Sequence, residues 1–184
     1  MTVRTDEGLD RLVRAHVERE LAALKEAQPE HRVTLVVFSG DLDRHLAALV
    51  IATGAAAMGM GVSIFYTFWG LSALKRKRTF RGKSLKERMF ALMTPKGLSK
   101  LPVSTMNFGG AGRAMLKTMM AEKGVSSVED LFALAREMGV KFIACTMSMD
   151  VMGITADELV DGVALGGVAT FLGDAARSKV SLFI

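Results

Sequence analysis

One side chain in this sequence is a strong nucleophile. Cys145, the single cysteine of 184 residues, ends a short apolar run, Lys141–Cys145 (KFIAC). A thiol at the end of a strand, facing the N-terminus of a following helix, has its pKa lowered by the helix dipole and by unpaired N–H groups. The free value lies near 8.5, so a depression of about one unit gives a sizeable thiolate fraction at neutral pH. Thr146, Ser148 and the backbone N–H groups after Cys145 are the candidates to stabilise that thiolate. The same position also suits a small buried hydrophobe, and residue types alone leave both readings open.

Parallel sheets gather ligands beyond the carboxyl ends of their strands. Two other strand ends therefore qualify, Ser39-Gly40-Asp41 after the first strand and Trp69-Gly70 after the second. Asp41 and Asn107 are rim candidates for the thiol site. Trp69 is a candidate wall, with core packing the plainer role.

Other chemistries lack parts. Gly109-Gly110-Ala111-Gly112 does not keep the G-x-G-x-x-G frame, and no Walker lysine follows a glycine at the required gap. His16, His31 and His45 show no metal-ligand spacing and all lie far in sequence from Cys145, so neither a metal site nor a Cys–His pair is indicated. Ten of the 13 methionines fall between Met89 and Met152, and Met147, Met149 and Met152 crowd the cysteine. A soft-metal site is one reading of that crowding; an adaptable apolar lining is the favoured one.

The charge is unevenly placed. Lys75, Arg76, Lys77, Arg78, Arg81, Lys83, Lys86 and Arg88 face one acid, Glu87, so this segment carries +7 of a net +5 and leaves −2 for the remainder. Such a run is either a solvated face or a docking surface for an acidic partner or anionic headgroups, with Lys75, Arg76, Lys77, Arg78, Arg81 and Lys83 as its candidates. Nucleic acid is disfavoured, because only Phe80 and Phe90 offer stacking nearby.

The elements that must position these residues follow from hydrophobic period. Leu9, Leu12, Val13, Val17, Leu21 and Leu24 recur at helical spacing and predict an amphipathic helix ending before Gln28-Pro29. Strands are expected at Val33–Phe38, Val62–Phe68, Lys141–Cys145, Val163–Leu165 and Val180–Ile184, with helices between them. Ser39 or Asp41 is expected to cap a helix from Leu42 to Met58. Ser127 with Asp130, and Thr155 with Glu158, read as capping boxes. Residues 75–106 read as an irregular, mobile excursion with a short helix from Ser84 to Met93. Alternating strands and helices predict a three-layer α/β/α domain with a mostly parallel five-stranded sheet, flavodoxin- or Rossmann-like in appearance and buried on both faces.

Leu46–Leu74 holds 29 residues without charge and is followed at once by four cations, which meets the length and flank criteria for a membrane span. The change from alanine-rich to β-branched and aromatic character at Val62 favours a buried helix and strand of a soluble domain instead. An unpaired cysteine and an opening MTVRTDEG without a secretory signal favour a cytoplasmic setting. Half the residues are hydrophobic, which excludes global disorder, and one cysteine excludes a disulfide scaffold.

The string Lys141–Ile154 (KFIACTMSMDVMGI) strongly resembles the cysteine segment of the DsrE/DsrF/DrsH-like family, in the sulfur-handling branch that often carries a peroxiredoxin-like label. Val36–Asp41 (VVFSGD), Phe65–Leu71 (FYTFWGL) and Gly162–Leu172 (GVALGGVATFL) extend the resemblance over about residues 32–184. It implies a helical segment at 1–29 outside an α/β domain at 30–184, homo-oligomeric association, and sulfur carried as a Cys145 persulfide without metal or organic cofactor. It also implies rhodanese-like and TusA-like sulfur-transfer partners. The second cysteine of many relatives is missing, so an internal resolving step has no thiol. A thiol peroxidase using Cys145, and a membrane-associated oligomeric binding module, are the alternatives.

Overall fold

A computed structural model of the chain describes residues 6–27 and 29–184. The opening segment used to argue against a secretory signal lies largely outside the described residues, as do the side chains of Leu24 and Lys25. Two units are distinguished, Met1–Glu30 and His31–Ile184. Helix α1 (Asp6–Ala27) makes up most of the first. Leu9, Leu12, Val13, Val17 and Leu21 on it are exposed, and Asp10 pairs with Arg14 one turn on, at 3.7 Å.

The second unit follows the expected alternation. It runs β1 (Glu30–Val37), α2 (Leu42–Ala57), β2 (Gly61–Tyr66), α3 (Leu85–Met93), α4 (Ala111–Glu122), α5 (Val128–Glu137), β3 (Lys141–Cys145), α6 (Thr146–Met152), β4 (Ala164–Gly166), α7 (Val168–Arg177) and β5 (Ser178–Phe183). The sheet order is β4-β3-β2-β1-β5. β1 through β4 pair in parallel register, with Val37 opposite Tyr66, Tyr66 opposite Ala144 and Cys145 opposite Gly166. The N–H of Ile184 donates to the Val36 carbonyl, and the Phe38 N–H donates to that of Ile184, both at 2.8 Å. That staggered exchange is the parallel pattern, so all five strands run the same way.

The two faces of the sheet are unequal. Val33, Leu35, Val37, Ile64, Tyr66 and Phe142 point into the main core, which α2 and α5 cover with Leu42, Leu49, Leu131 and Phe132 among others. The alternate residues Val36, Phe65, Ile143 and Cys145 form a smaller cluster, completed by Ala164 of β4 and Phe171 of α7. Burial on both faces therefore holds for β1–β3 but not for β5, where Val180, Leu182 and Phe183 are exposed. Polar contacts anchor this edge instead: the Thr34 hydroxyl lies 3.1 Å from that of Ser63 and 2.7 Å from that of Ser178.

The uncharged stretch 46–74 is not one span. It is the rest of α2, a turn at Gly59 (φ +74°), β2, and a 3-10 segment Phe68–Leu74 where the strand had been expected to continue to Phe68. Among the described residues no helix is long and apolar enough to cross a membrane. The chain leaves β2 through Phe68 at φ +45°, a region non-glycine residues seldom adopt. Gly70 then passes so close to β1 that a Cβ there would collide with the Val37 carbonyl, while its N–H donates to Phe38 at 2.9 Å.

The segment 75–106, read from sequence as mobile, is tied down. Arg76 pairs with Asp161 at 2.7 Å, Lys77 with Asp157 at 2.9 Å and Lys83 with Glu158 at 2.6 Å. The N–H groups of Arg76 and Lys77 donate to the Glu158 carbonyl. Ser84 and Glu87 form a capping box on α3, which sequence reading had not singled out; those at Ser127–Asp130 and Thr155–Glu158 are present as expected.

Candidate functional site: the thiol at the end of the third strand

Cys145 is 3% exposed and stands at the N-cap of α6. Tyr66 lies opposite Ala144, so the next residue of that chain segment, Thr67, comes level with Cys145. One turn into α6, Ser148 is fully buried, and its hydroxyl lies 2.7 Å from the Thr67 hydroxyl. Burial is the largest influence on the Cys145 thiol and pushes its pKa up. The Ser148 and Met147 N–H groups and the Thr67–Ser148 hydroxyl pair, in which one hydroxyl donates to the other and one proton is left for the sulfur, oppose it and together hold the thiol below its ordinary value. Donors that bond a charged form favour it, so the pocket stabilises a thiolate with neutral groups alone.

The strand on the other side also shapes the site. Gly166 pairs with Cys145, and a Cβ there would lie 2.9 Å from the Ile143 side chain and 3.0 Å from the Thr170 hydroxyl. Glycine lets β4 and α7 close over the cysteine's cluster. Ala164 and Phe171, only partly buried, are the members of that cluster that reach solvent.

Of the candidates read from sequence, Thr146 and Ser148 sit with the thiol, as the first and third residues of α6. Ser39, Gly40, Asp41 and Trp69 come together elsewhere, lining a recess of about 590 Å³ with Phe183 and Ile184 at the end of β1. Asp41 is the N-cap of α2 but gives no side-chain cap; its carboxylate accepts from the Ser39 hydroxyl at 2.7 Å. Trp69 stacks on Phe90 with ring centres 5.5 Å apart. Asn107 begins the 3-10 turn Phe108–Gly110, and its side-chain oxygen accepts from the Val103 N–H at 3.4 Å. It lines neither place.

Of the candidate docking cations, Arg76, Lys77 and Lys83 are in the ion pairs above, Lys75 is buried, and Arg78 donates to the Thr94 carbonyl at 2.5 Å. Arg81 is exposed. His45, read from sequence only as lacking metal-ligand spacing, is fully buried in the core. Its Nδ1 lies 2.8 Å from the Asp41 carbonyl, and its ring stacks on Tyr66. Among the described residues no three His, Cys, Asp or Glu side chains converge as a metal site would require. Met149 and Met152 are buried in the main core, on the opposite face from the Cys145 cluster, whereas Met147 is exposed.

Thr67 is the residue that sequence reading missed. Its signal was available: it stands close to the carboxyl end of an apolar strand, as Ser39 and Cys145 do, and parallel register places such strand ends side by side.

The fold is a five-stranded parallel α/β sheet with a single thiol at the end of one central strand. The model of the DsrE/DsrF/DrsH-like family matches residues 29–183, and the chain belongs to that family. It is 45% identical over 154 residues to the uncharacterized protein YrkE of Bacillus subtilis (strain 168), covering 83% of this chain and 96% of that one. It is 33% identical over 159 residues to the sulfur carrier protein DsrE2 of Allochromatium vinosum, covering 84% and 99%. Among solved structures, the ychN protein from E. coli matches over 83% of this chain and 98% of its own, at 10% identity and a TM-score of 0.48.

Proposed function

We propose that this protein carries sulfane sulfur as a persulfide on Cys145. The observation that supports this most is the placing of a buried thiol at the N-cap of α6, level with Thr67 and one turn from the buried Ser148, surroundings that hold it below its ordinary pKa. Packing alone needs no such donors, since a cysteine used as a small hydrophobe is buried among apolar groups and its pKa rises. The similarity to a sulfur carrier supports the same reading.

The exchange balances without oxidant, metal or cofactor. The Cys145 thiolate attacks the outer sulfur of a donor persulfide; a new S–S bond forms on Cys145, the donor's S–S bond breaks, and its electron pair leaves on the donor thiolate. An acceptor thiolate repeats the step on the Cys145 persulfide and regenerates the Cys145 thiolate. The Thr67–Ser148 hydroxyl pair, acting through the one proton it has left for the sulfur, stabilises Cys145 both as attacking thiolate and as leaving group. A rhodanese-like donor and a TusA-like acceptor fit this chemistry, with a homo-oligomer as the working assembly.

Intact-mass measurement after incubation with polysulfide, or with rhodanese and thiosulfate, tests it. The expected result is a gain of sulfur that dithiothreitol reverses and Cys145→Ser abolishes. No adduct, or equal gain in Cys145→Ser, would refute the carrier role.

A further inference from the structure

The segment Lys75–Arg78 faces the turn Pro95–Lys100 across a recess of about 580 Å³, independent of Cys145. Lys75, Arg76, Arg78, Lys96 and Lys100 line it, and among the described residues no acidic side chain does. The walls are fixed. The Gly97 N–H donates to the Ser72 carbonyl at 2.9 Å, and Gly97 adopts φ +78° with so little room that a Cβ would lie 2.9 Å from the Lys75 carbonyl.

Two cations in this recess are incompletely satisfied. Lys75 is 3% exposed, yet its ammonium makes one long bond, donating to the Thr94 hydroxyl at 3.4 Å. An ammonium has three N–H groups, so two have no protein acceptor among the described residues. Nε of Arg78 is also buried without a partner among the described residues, its Nη2 being spent on the Thr94 carbonyl. Glu158 is the acid whose field reaches Lys75, but its carboxylate already accepts from Lys83, Thr79 and Thr155 at 2.6, 2.7 and 3.0 Å. Arg76 has Asp161 on its other side, while among the described residues Lys96 and Lys100 are in no ion pair. A buried ammonium whose nearby carboxylate is already taken up by another cation is costly, and an anion in the recess lowers that cost.

The geometry points to a binding site for a small, doubly charged oxyanion of the sulfate, thiosulfate or phosphate type, held by Lys75 and Arg78 from below and by Lys96 and Lys100 at the rim. Two charges and several acceptor oxygens match ammonium and guanidinium donors arranged on both sides of one recess, whereas a carboxylate offers half the charge.

Calorimetric titration of the full chain with sodium sulfate, thiosulfate and phosphate, against chloride as control, tests the site. One saturable event is expected for at least one dianion, weakening with ionic strength. Lys75→Met should weaken it about tenfold or more, as for a lost charge-assisted hydrogen bond. Because that substitution falls in a buried position, Lys96→Glu/Lys100→Glu, confined to the exposed rim, should weaken binding comparably with unchanged circular dichroism. No saturable heat for any dianion would overturn the proposal, as would binding equal to wild type in the rim variant. Cosedimentation with phosphatidylglycerol vesicles in the absence of free-anion binding would also overturn it, in favour of a lipid surface.

Discussion

At the end of β3 one ionisable thiol is served by neutral donors, whereas segment 75–88 carries eight cations and meets acids of its own chain. The thiol site is inconspicuous by charge and chemically tuned. The basic segment is conspicuous by charge, and much of that charge is structural. Density of charge in a sequence thus says little about how much remains free, because the compensating acids can lie far along the chain. Here they lie 75 to 85 residues away, on the turn from Asp157 to Asp161.

The largest effect is expected at Lys83. Its ammonium and the Glu158 carboxylate are both buried, and Lys83→Met leaves Glu158 without its counter-charge, at a cost of about 3–5 kcal/mol in urea unfolding. The double variant Lys83→Met/Glu158→Gln, which removes the orphaned charge and keeps a side-chain oxygen as acceptor for a backbone N–H, should recover part of that loss. A loss of under about 0.5 kcal/mol in the single variant would show that the segment is not anchored this way.

Next in size is a pH effect in the core. Burial holds the His45 imidazole below its ordinary value of 6.5, more than the Asp41 carbonyl, the Gly70 backbone and nearby carboxylates raise it. The unfolded chain therefore takes up a proton that the folded chain refuses. Stability is intact above about pH 6.5 and falls as pH drops below it, by at most about 1.4 kcal/mol per pH unit. His45→Phe should flatten unfolding free energy between pH 7 and 5.5, and an unchanged slope would contradict the assignment.

The smallest effect belongs to the outer part of the basic segment. Arg76 and Asp161 are 44% and 82% exposed, so Arg76→Ala should change stability by less than about 1 kcal/mol, and less still in high salt. Asp157, held down to about 2 by the Thr155 hydroxyl and by Lys77, should stay ionised through mild acid, and its carboxyl resonance should titrate accordingly.

What could be read from sequence follows the range of the interactions. Lys141–Cys145 was legible to the residue, because a β-branched and aromatic run between a glycine and a helix start is a local signal. Ser127 with Asp130, and Thr155 with Glu158, were legible for the same reason, as both partners sit within one turn. Cys145, Thr146 and Ser148 were legible as a group because they are neighbours in chain. Thr67 was not, since its hydroxyl reaches Ser148 across 81 residues and only the register of β2 against β3 brings it there. The 3-10 turn at Phe68 was hidden by side chains that suit a strand equally well, and the choice was made by close passage of Gly70 against Val37.

The central claim is that neutral donors, and not the basic segment, tune Cys145. The rate of iodoacetamide alkylation of Cys145 as a function of pH, followed by intact mass, reads the thiol's apparent pKa directly. The account predicts a midpoint below the ordinary thiol value, raised in both Ser148→Ala and Thr67→Val and unmoved in Arg81→Gln. A midpoint at or above that value in the wild type, or one that neither hydroxyl variant shifts, would contradict it.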